Sequence, residues 1–357
     1  MFEKNRSDMN ENKIDVAVLG CTGAVGQKLV SLLGNHPLFN IKELVASDRS
    51  AGLKYSERVG WREAVPIPGH VGDIVIKTLS EPLESRILFS GLDASVAGEA
   101  ESSYASLGHI VVSNSRNHRM DDDVPLIIPE INASHLEIVE RQMARSGSGG
   151  FIVTNPNCST IVLALAIYPV FARFGLDKVM AVTMQAISGG GYPGVPSMDI
   201  LGNVIPYIGG EEEKIERELA KIFGRLEDGR IVPADFTVSA TCNRVPVRDG
   251  HTVCVSFSTR TKAGREELLD AMEHCYPELK LHSSPEKVLA YNPSEDRPQP
   301  LMDVLAGNGM TVTAGRLRPC GILDWKMTAF GHNTVRGAAG AAILNAELIV
   351  ERGFLKK

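Results

Sequence analysis

None of the six cysteines (Cys21, Cys158, Cys242, Cys254, Cys275 and Cys320) forms a C-x-x-C pair, which argues against a zinc knuckle or a dense disulfide framework and points to a reducing compartment. No other metal-ligand spacing is present, so no metal is expected. No apolar run approaches the ~18 uninterrupted residues of a membrane span. Residues 1–13 are polar and charged, without the apolar segment of a secretion signal. A cytoplasmic enzyme with a flexible tail over 1–13 and no membrane partner is expected. Lys and Arg are not in excess either: the formal net charge is -6 and no basic cluster occurs, which argues against a nucleic-acid surface, where phosphates must be neutralised. Internal repeats and low-complexity tracts are also missing. What is present is 357 residues, 43% hydrophobic and 22% charged, enough for two packed cores and suited to a small-molecule partner.

The apolar pattern divides the chain. Short apolar runs at 14–19, 43–46, 73–76, 87–90 and 109–113, with an amphipathic stretch at 26–33, read as strands and a helix of a doubly wound parallel sheet. After a further strand at 151–153 comes an apolar helix at 161–174. Strands at 179–186, 236–242, 252–258 and 310–315 follow, suggesting a mostly antiparallel sheet with helices on one side. The Ala- and Leu-rich stretch 333–351 reads as a helix returning to the first domain. The fold class expected is α/β, a Rossmann-like domain plus an α+β domain.

Two segments carry binding and chemistry. Gly20-Cys21-Thr22-Gly23-Ala24-Val25-Gly26 joins the first strand to the first helix, where glycine permits a sharp turn and close approach of a pyrophosphate to the helix N-terminus. Gly20, Thr22, Gly23, Ala24, Val25 and Gly26 are therefore candidate cofactor-binding residues, although the G-x-x-G-x-x-G spacing differs from the commoner G-x-G-x-x-G. At the end of the second strand, Arg49 flanked by Ser47 and Ser50 suits a 2'-phosphate and hence NADP. Asp48 keeps NAD open. This gives a division into an NADP-binding Rossmann domain over 14–155, completed by 333–357, and a second domain over 156–332.

Cys158 lies in Asn155-Pro156-Asn157-Cys158-Ser159-Thr160, between a strand and a helix start whose field favours thiolate. Polar neighbours on both sides are superfluous around a buried structural thiol. Such a nucleophile needs an acid-base partner, and nine histidines compete for the role. His251 stands out because a strand-turn-strand unit from Arg244 can carry both residues into one pocket.

With Ser113-Asn114-Ser115, Asp123-Val124-Pro125-Leu126, Gln185-Ala186-Ile187-Ser188-Gly189 and Asn333-Thr334-Val335-Arg336-Gly337-Ala338-Ala339-Gly340, these motifs occur in an order that resembles the aspartate-semialdehyde dehydrogenase family, in its archaeal and fungal branch, over about residues 14–348. The resemblance implies NADPH-dependent conversion of L-aspartyl-4-phosphate to L-aspartate 4-semialdehyde and phosphate, the branch-point step toward lysine, threonine, methionine and isoleucine. It implies Cys158 as nucleophile, His251 as acid-base and Gln185 as a group positioning the thioester. It further implies Arg244 on the substrate carboxylate, Glu211 on the amine, and Lys214, Arg119 and Asn114 at the phosphate. Ser188, Gly189 and Asn333 would adjoin the nicotinamide. The second domain would be catalytic and dimerising, in a homodimer or homotetramer.

Plainer readings stand beside these. Glu211, Glu212 and Glu213 could be a solvated first helix turn, with the register uncertain by one. Arg119 could pair with the following acidic loop, Gln185 could simply end a strand, and Asn333 could be a helix N-cap. The rival activity is malonyl-CoA reductase, which expels coenzyme A and whose substrate has no amine for Glu211. A non-catalytic dinucleotide-binding regulator is the remaining alternative.

Overall fold

A computed structural model describes residues 13–355; all but the last residue of the tail expected over 1–13, and the last two residues of the chain, lie outside the described residues. The chain folds as two compact units. The first runs to Pro125 and adds Ile138–Thr154 and the segment from Ala342; the second comprises Leu126–Glu137 and Asn155–Ala341. These units differ from the expected division at residues 126–137, at Asn155 and at residues 333–341. Residues 126–137 leave the first domain because Leu126 and Ile128 enter the second unit's core and His135 Nε2 lies 3.0 Å from the Gly224 carbonyl. Residues 333–341 also belong to the second unit.

The first unit holds strands β1 (Ile14–Leu19), β2 (Phe39–Val45), β3 (Ile87–Ser90), β4 (Ile110–Ser113) and β5 (Phe151–Thr154), all parallel in the order β2-β1-β3-β4-β5. Every residue of β3, β4 and β5 is buried, as strands covered on both faces must be, which is why they read as unbroken apolar runs. Helices α1 (Ala24–Leu33), α2 (Ala94–Ser106) and α3 (Val139–Ser146) lie between successive strands. The strand expected at 73–76 is absent: the segment follows a helical turn at Gly69–Gly72, makes only single bridges at Val75 and Lys77, and exposes Val75.

The second unit is a six-stranded sheet with order β11-β12-β13-β10-β6-β9, built from β6 (Leu176–Gln185), β9 (Thr237–Arg244), β10 (His251–Thr259), β11 (Leu289–Asn292), β12 (Val312–Pro319) and β13 (Trp325–Gly331), with a separate hairpin of β7 (Arg225–Glu227) and β8 (Arg230–Val232). Three of its five pairings are antiparallel and the outer two are parallel, so it is mixed. Helices α4 (Cys158–Phe174), α5 (Glu211–Ile222) and α6 (Arg265–His274) place Ile161–Val170, Ile215, Leu219, Leu268 and Met272 in one core with the sheet. In β6 burial alternates: Val179, Ala181, Thr183 and Gln185 are buried, whereas Met180 and Val182 are exposed. The helix expected over 333–351 begins as a π-helical turn, Val335–Ala339, before α7 (Gly340–Glu351). No helix among the described residues is long and apolar enough to cross a membrane.

Candidate active site

Strand register assembles the site within the second unit. His251 at the start of β10 pairs with Gln185 at the end of β6, and Gln185 pairs with Arg244 at the end of β9. Because strand side chains alternate with period two, these three share the face of Val253, Ala181 and Cys242, all buried. Three residues from three strands thus form one row at the sheet's end.

Cys158 is the first residue of α4. The preceding Asn157 is the N-cap, its Oδ1 accepting from Ser159 N at 2.9 Å and Thr160 N at 3.3 Å, the interaction that makes Asn a favoured cap. Cys158 Sγ lies 3.1 Å from His251 Nε2. The other ring nitrogen, Nδ1, accepts the Ala186 backbone N–H at 3.1 Å, so the neutral ring carries its proton on Nε2, facing the sulfur. His251 is fully buried, and burial together with the Arg244 charge lowers its pKa to about 3. Arg244 Nη1 donates to the Ala186 carbonyl at 2.7 Å. Burial pulls the Arg244 pKa down, opposed by Cys158 and Glu211.

Of the three neighbouring glutamates only Glu211 faces this cluster. It accepts from Asn157 Nδ2 at 2.8 and 3.0 Å, from Lys214 Nζ at 2.7 Å and from Gln185 Nε2 at 3.3 Å. Burial pushes its pKa up, but Lys214 and these hydrogen bonds outweigh that and the net shift is downward. Glu212 instead accepts Cys242 N at 2.9 Å, and Glu213 is exposed. Asn333 is not a helix cap: its Oδ1 accepts Gly250 N at 2.7 Å and its Nδ2 donates to Ser188 Oγ at 2.9 Å. Gly189 lies against Arg244 and His251, where an added Cβ would come within 2.9 Å of Nη1 and 3.1 Å of Cε1.

The remaining candidates lie in the first unit. Gly20 has φ +73°, and a Cβ on Gly26 would meet the Gly20 carbonyl oxygen at 2.1 Å, so the turn admits no side chain there. Gly23 caps α1 without a side-chain hydrogen bond, leaving that helix start open to an anion. Thr22, Ala24 and Val25 line the same turn, half-buried. Ser47 and Arg49 are exposed in the turn after β2, closed by Ser50 N to Ser47 O at 2.8 Å. Ser50, expected beside them, is only 4% exposed because the turn folds it inward. Asn114 Nδ2 donates to Ser90 O at 3.0 Å and Arg119 Nη2 to Asn114 O at 2.8 Å.

Models of the semialdehyde dehydrogenase NAD binding domain and of its dimerisation domain match residues 15–139 and 167–336. The chain belongs to the semialdehyde dehydrogenase family. A curated aspartate-semialdehyde dehydrogenase from Archaeoglobus fulgidus is 47% identical over 344 residues, covering 96% of this chain and 100% of the relative. The protein of that name from Saccharomyces cerevisiae is 42% identical, covering 95% and 98%. A crystal structure of aspartate semialdehyde dehydrogenase with NADP from Candida albicans shares 40% identity and a TM-score of 0.88, covering 96% of this chain and 100% of that one.

Two residues beside Cys158 of this semialdehyde dehydrogenase family member have no role of their own read from sequence. Asn157 is one, although an Asn immediately before an apolar helix signals an N-cap. Gly337 is another: an added Cβ would sit 2.6 Å from Cys158 Cβ, so the π-turn packs directly on the cysteine. In the first unit, buried Glu101 accepts from Ser90 Oγ at 2.6 Å and Ser113 Oγ at 2.8 Å, tying together the carboxyl ends of β3 and β4.

The buried imidazole also makes stability depend on pH. Its folded pKa, about 3, lies below the ordinary 6.5, so the unfolded chain takes up the proton first as pH falls. The stability His251 contributes is complete above 6.5 and declines toward 3. At about pH 5 the loss is about 2 kcal/mol. Urea unfolding at about pH 7.5 and pH 5 should show this share of the acid destabilisation in the wild type and not in His251→Asn; identical pH dependence in both proteins places the effect elsewhere.

Proposed function

We propose that the protein is an aspartate-semialdehyde dehydrogenase that converts L-aspartyl-4-phosphate to L-aspartate 4-semialdehyde with NADPH, releasing phosphate, on the route to lysine, threonine, methionine and isoleucine. The observation that carries this reading is the 3.1 Å contact of Cys158 Sγ with His251 Nε2 at the start of α4, beside the Gln185–Arg244 row and Glu211. The Cys158 thiolate attacks the acyl carbon, the carbon–oxygen bond to phosphate breaks with its electron pair leaving on phosphate, and a thioester forms. Bound NADPH supplies the hydride that reduces this thioester. The tetrahedral oxyanion takes the Nε2–H of His251 as donor, since the N–H groups of Ser159 and Thr160 are already committed to Asn157. Expulsion of the Cys158 thiolate then releases the aldehyde.

Arg244 holds the substrate carboxylate with the part of its fork not engaged by Ala186, a task suited to planar guanidinium. Glu211 receives the substrate amine in exchange for the donors it now holds, and Lys214 attracts the phosphate. Gln185 positions the thioester. The open start of α1 and the closely packed Gly20–Gly26 turn suit a pyrophosphate, with Ser188, Gly189 and Asn333 assigned to the nicotinamide. Ser47 and Arg49 favour the 2'-phosphate. Arg49→Ala is accordingly expected to raise KM for NADPH by about tenfold with little effect on KM for NADH; equal losses with both cofactors remove Arg49 from that role. The uncovered sheet face around Met180 and Val182 is the proposed contact between copies in a homodimer or a pair of homodimers.

The decisive assay supplies purified protein with aspartate semialdehyde and phosphate, and separately with malonyl-CoA, each with NADP(H) and NAD(H). Turnover of aspartate semialdehyde that requires phosphate and prefers NADP is expected. Turnover confined to malonyl-CoA overturns the substrate assignment, and the absence of turnover in every arm favours a binding role.

A further inference from the structure

On α5, Glu211 and Glu218 are seven residues apart, two helical turns, and so share one face. Both hold Asn157. Glu211 takes its side-chain amide, and Glu218 Oε2 accepts its backbone N–H at 2.6 Å. Glu218 is 2% exposed, and the proposed chemistry gives it no step.

Its placement reproduces a capping box with the partner supplied from elsewhere. In the local form, the cap side chain bonds an N–H inside the first turn while a Glu or Gln at the third helical position reaches back to the cap's own N–H. In α4 the first half is present through Asn157 Oδ1. The third helical residue is Thr160, too short for the return bond, and its buried Oγ1 has no hydrogen-bond partner. Glu218 makes that return bond from 61 residues away. It therefore fixes the turn on which the next residue, Cys158, stands, and it adds a carboxylate at the positive end of the helix.

We infer that Glu218 is a positioning residue for the nucleophile: its hydrogen bond to Asn157 N sets where the Cys158 sulfur stands, and its charge raises the pH at which that sulfur ionises. The inference rests on Cys158 being the nucleophile. The helix start favours thiolate, and a second anion near it competes for the same field. Among the charged or titratable groups nearby, His251 lies 3.1 Å from the sulfur, the Arg244 and Cys158 charges act on one another, Glu211 and His332 act on His251, Lys214 is bound to Glu211, and buried Lys221 stands three residues beyond Glu218 on α5.

Geometry and charge separate in two variants of the full chain. Glu218→Ala removes both and should lower kcat about tenfold, with KM changed far less, because a buried backbone N–H loses its acceptor. Glu218→Gln keeps an acceptor oxygen and removes the charge, so kcat should stay within about threefold of wild type. In that variant the midpoint of the pH profile for Cys158 alkylation by iodoacetamide, followed by mass spectrometry of the Cys158 peptide, should fall by about 0.5 or more. A merely structural role moves stability but not that midpoint. Wild-type kcat in folded Glu218→Ala, or an unchanged midpoint in Glu218→Gln, overturns the inference; if Glu218→Ala does not fold, the Gln variant decides alone. Turnover retained by Cys158→Ala strikes at the nucleophile reading instead, which keeps the two failures apart.

Discussion

Cys158→Ala is expected to lose at least about 10⁴-fold in turnover, as removal of a covalent nucleophile does when binding and electrostatic stabilisation are left in place, while NADPH affinity stays within twofold of wild type, roughly. The first half follows from position. Cys158 alone among the six cysteines stands at a helix start with an imidazole nitrogen 3.1 Å from its sulfur. Cys21 and Cys242 are buried thiols whose pKa values burial raises, to about 12 and about 11, so neither can substitute. Serine is no rescue, since a hydroxyl remains protonated where a thiol ionises. The second half follows from the glycine turn, which folds within a unit with its own sheet and buried core. Phosphate-dependent NADPH formation from aspartate semialdehyde, read beside a fluorescence titration of NADPH, checks both. Residual turnover within tenfold of wild type, roughly, would remove Cys158 from the chemistry.

Local signals carry over into the structure best. A buried strand followed by a glycine turn is legible because each of its requirements sits within ten residues or so, and β1 occupies the expected span. The start of α4 is legible too, but the apolar run at Ile161 is a weaker marker than the capping Asn157, which moves the helix start to Cys158. Trp325–Gly331 escapes the sequence pattern despite its alternation of buried Met327 and Ala329 with half-buried Lys326 and Thr328, while 73–76 resembles a strand because three apolar residues lie close together with no sign of which would be exposed. The site itself depends on register. Nothing in the sequence states that 185, 244 and 251 share one row across β10, β6 and β9; the resemblance supplies the residues, and sheet pairing supplies the geometry. Glu218 has no signal of either kind, because its partner is a backbone N–H far away in the chain.

His251→Ala is expected to lower kcat by about 10²–10⁴-fold, the range for a lost proton-transfer or hydrogen-bonding group at the reacting centre. The structure also specifies what kind of group is lost. Reading His251 simply as the base that ionises Cys158 requires an imidazole able to accept on Nε2. With Nδ1 occupied by the Ala186 N–H, the neutral ring already has its proton on Nε2, and an imidazolium would set two donors against each other beside Arg244. The low pKa, about 3, expresses the same cost. In the resting site His251 is therefore a neutral donor to sulfur, and later to the oxyanion. His251→Asn, which retains an N–H donor, should keep more activity than His251→Ala. Across about pH 5.5 to 7.5 the kcat/KM profile should show no limb owed to imidazole, since the ring stays neutral throughout. A wild-type acid limb near the ordinary histidine value of 6.5 that vanishes in His251→Asn contradicts this account, and with it the assignment of the resting proton to Nε2.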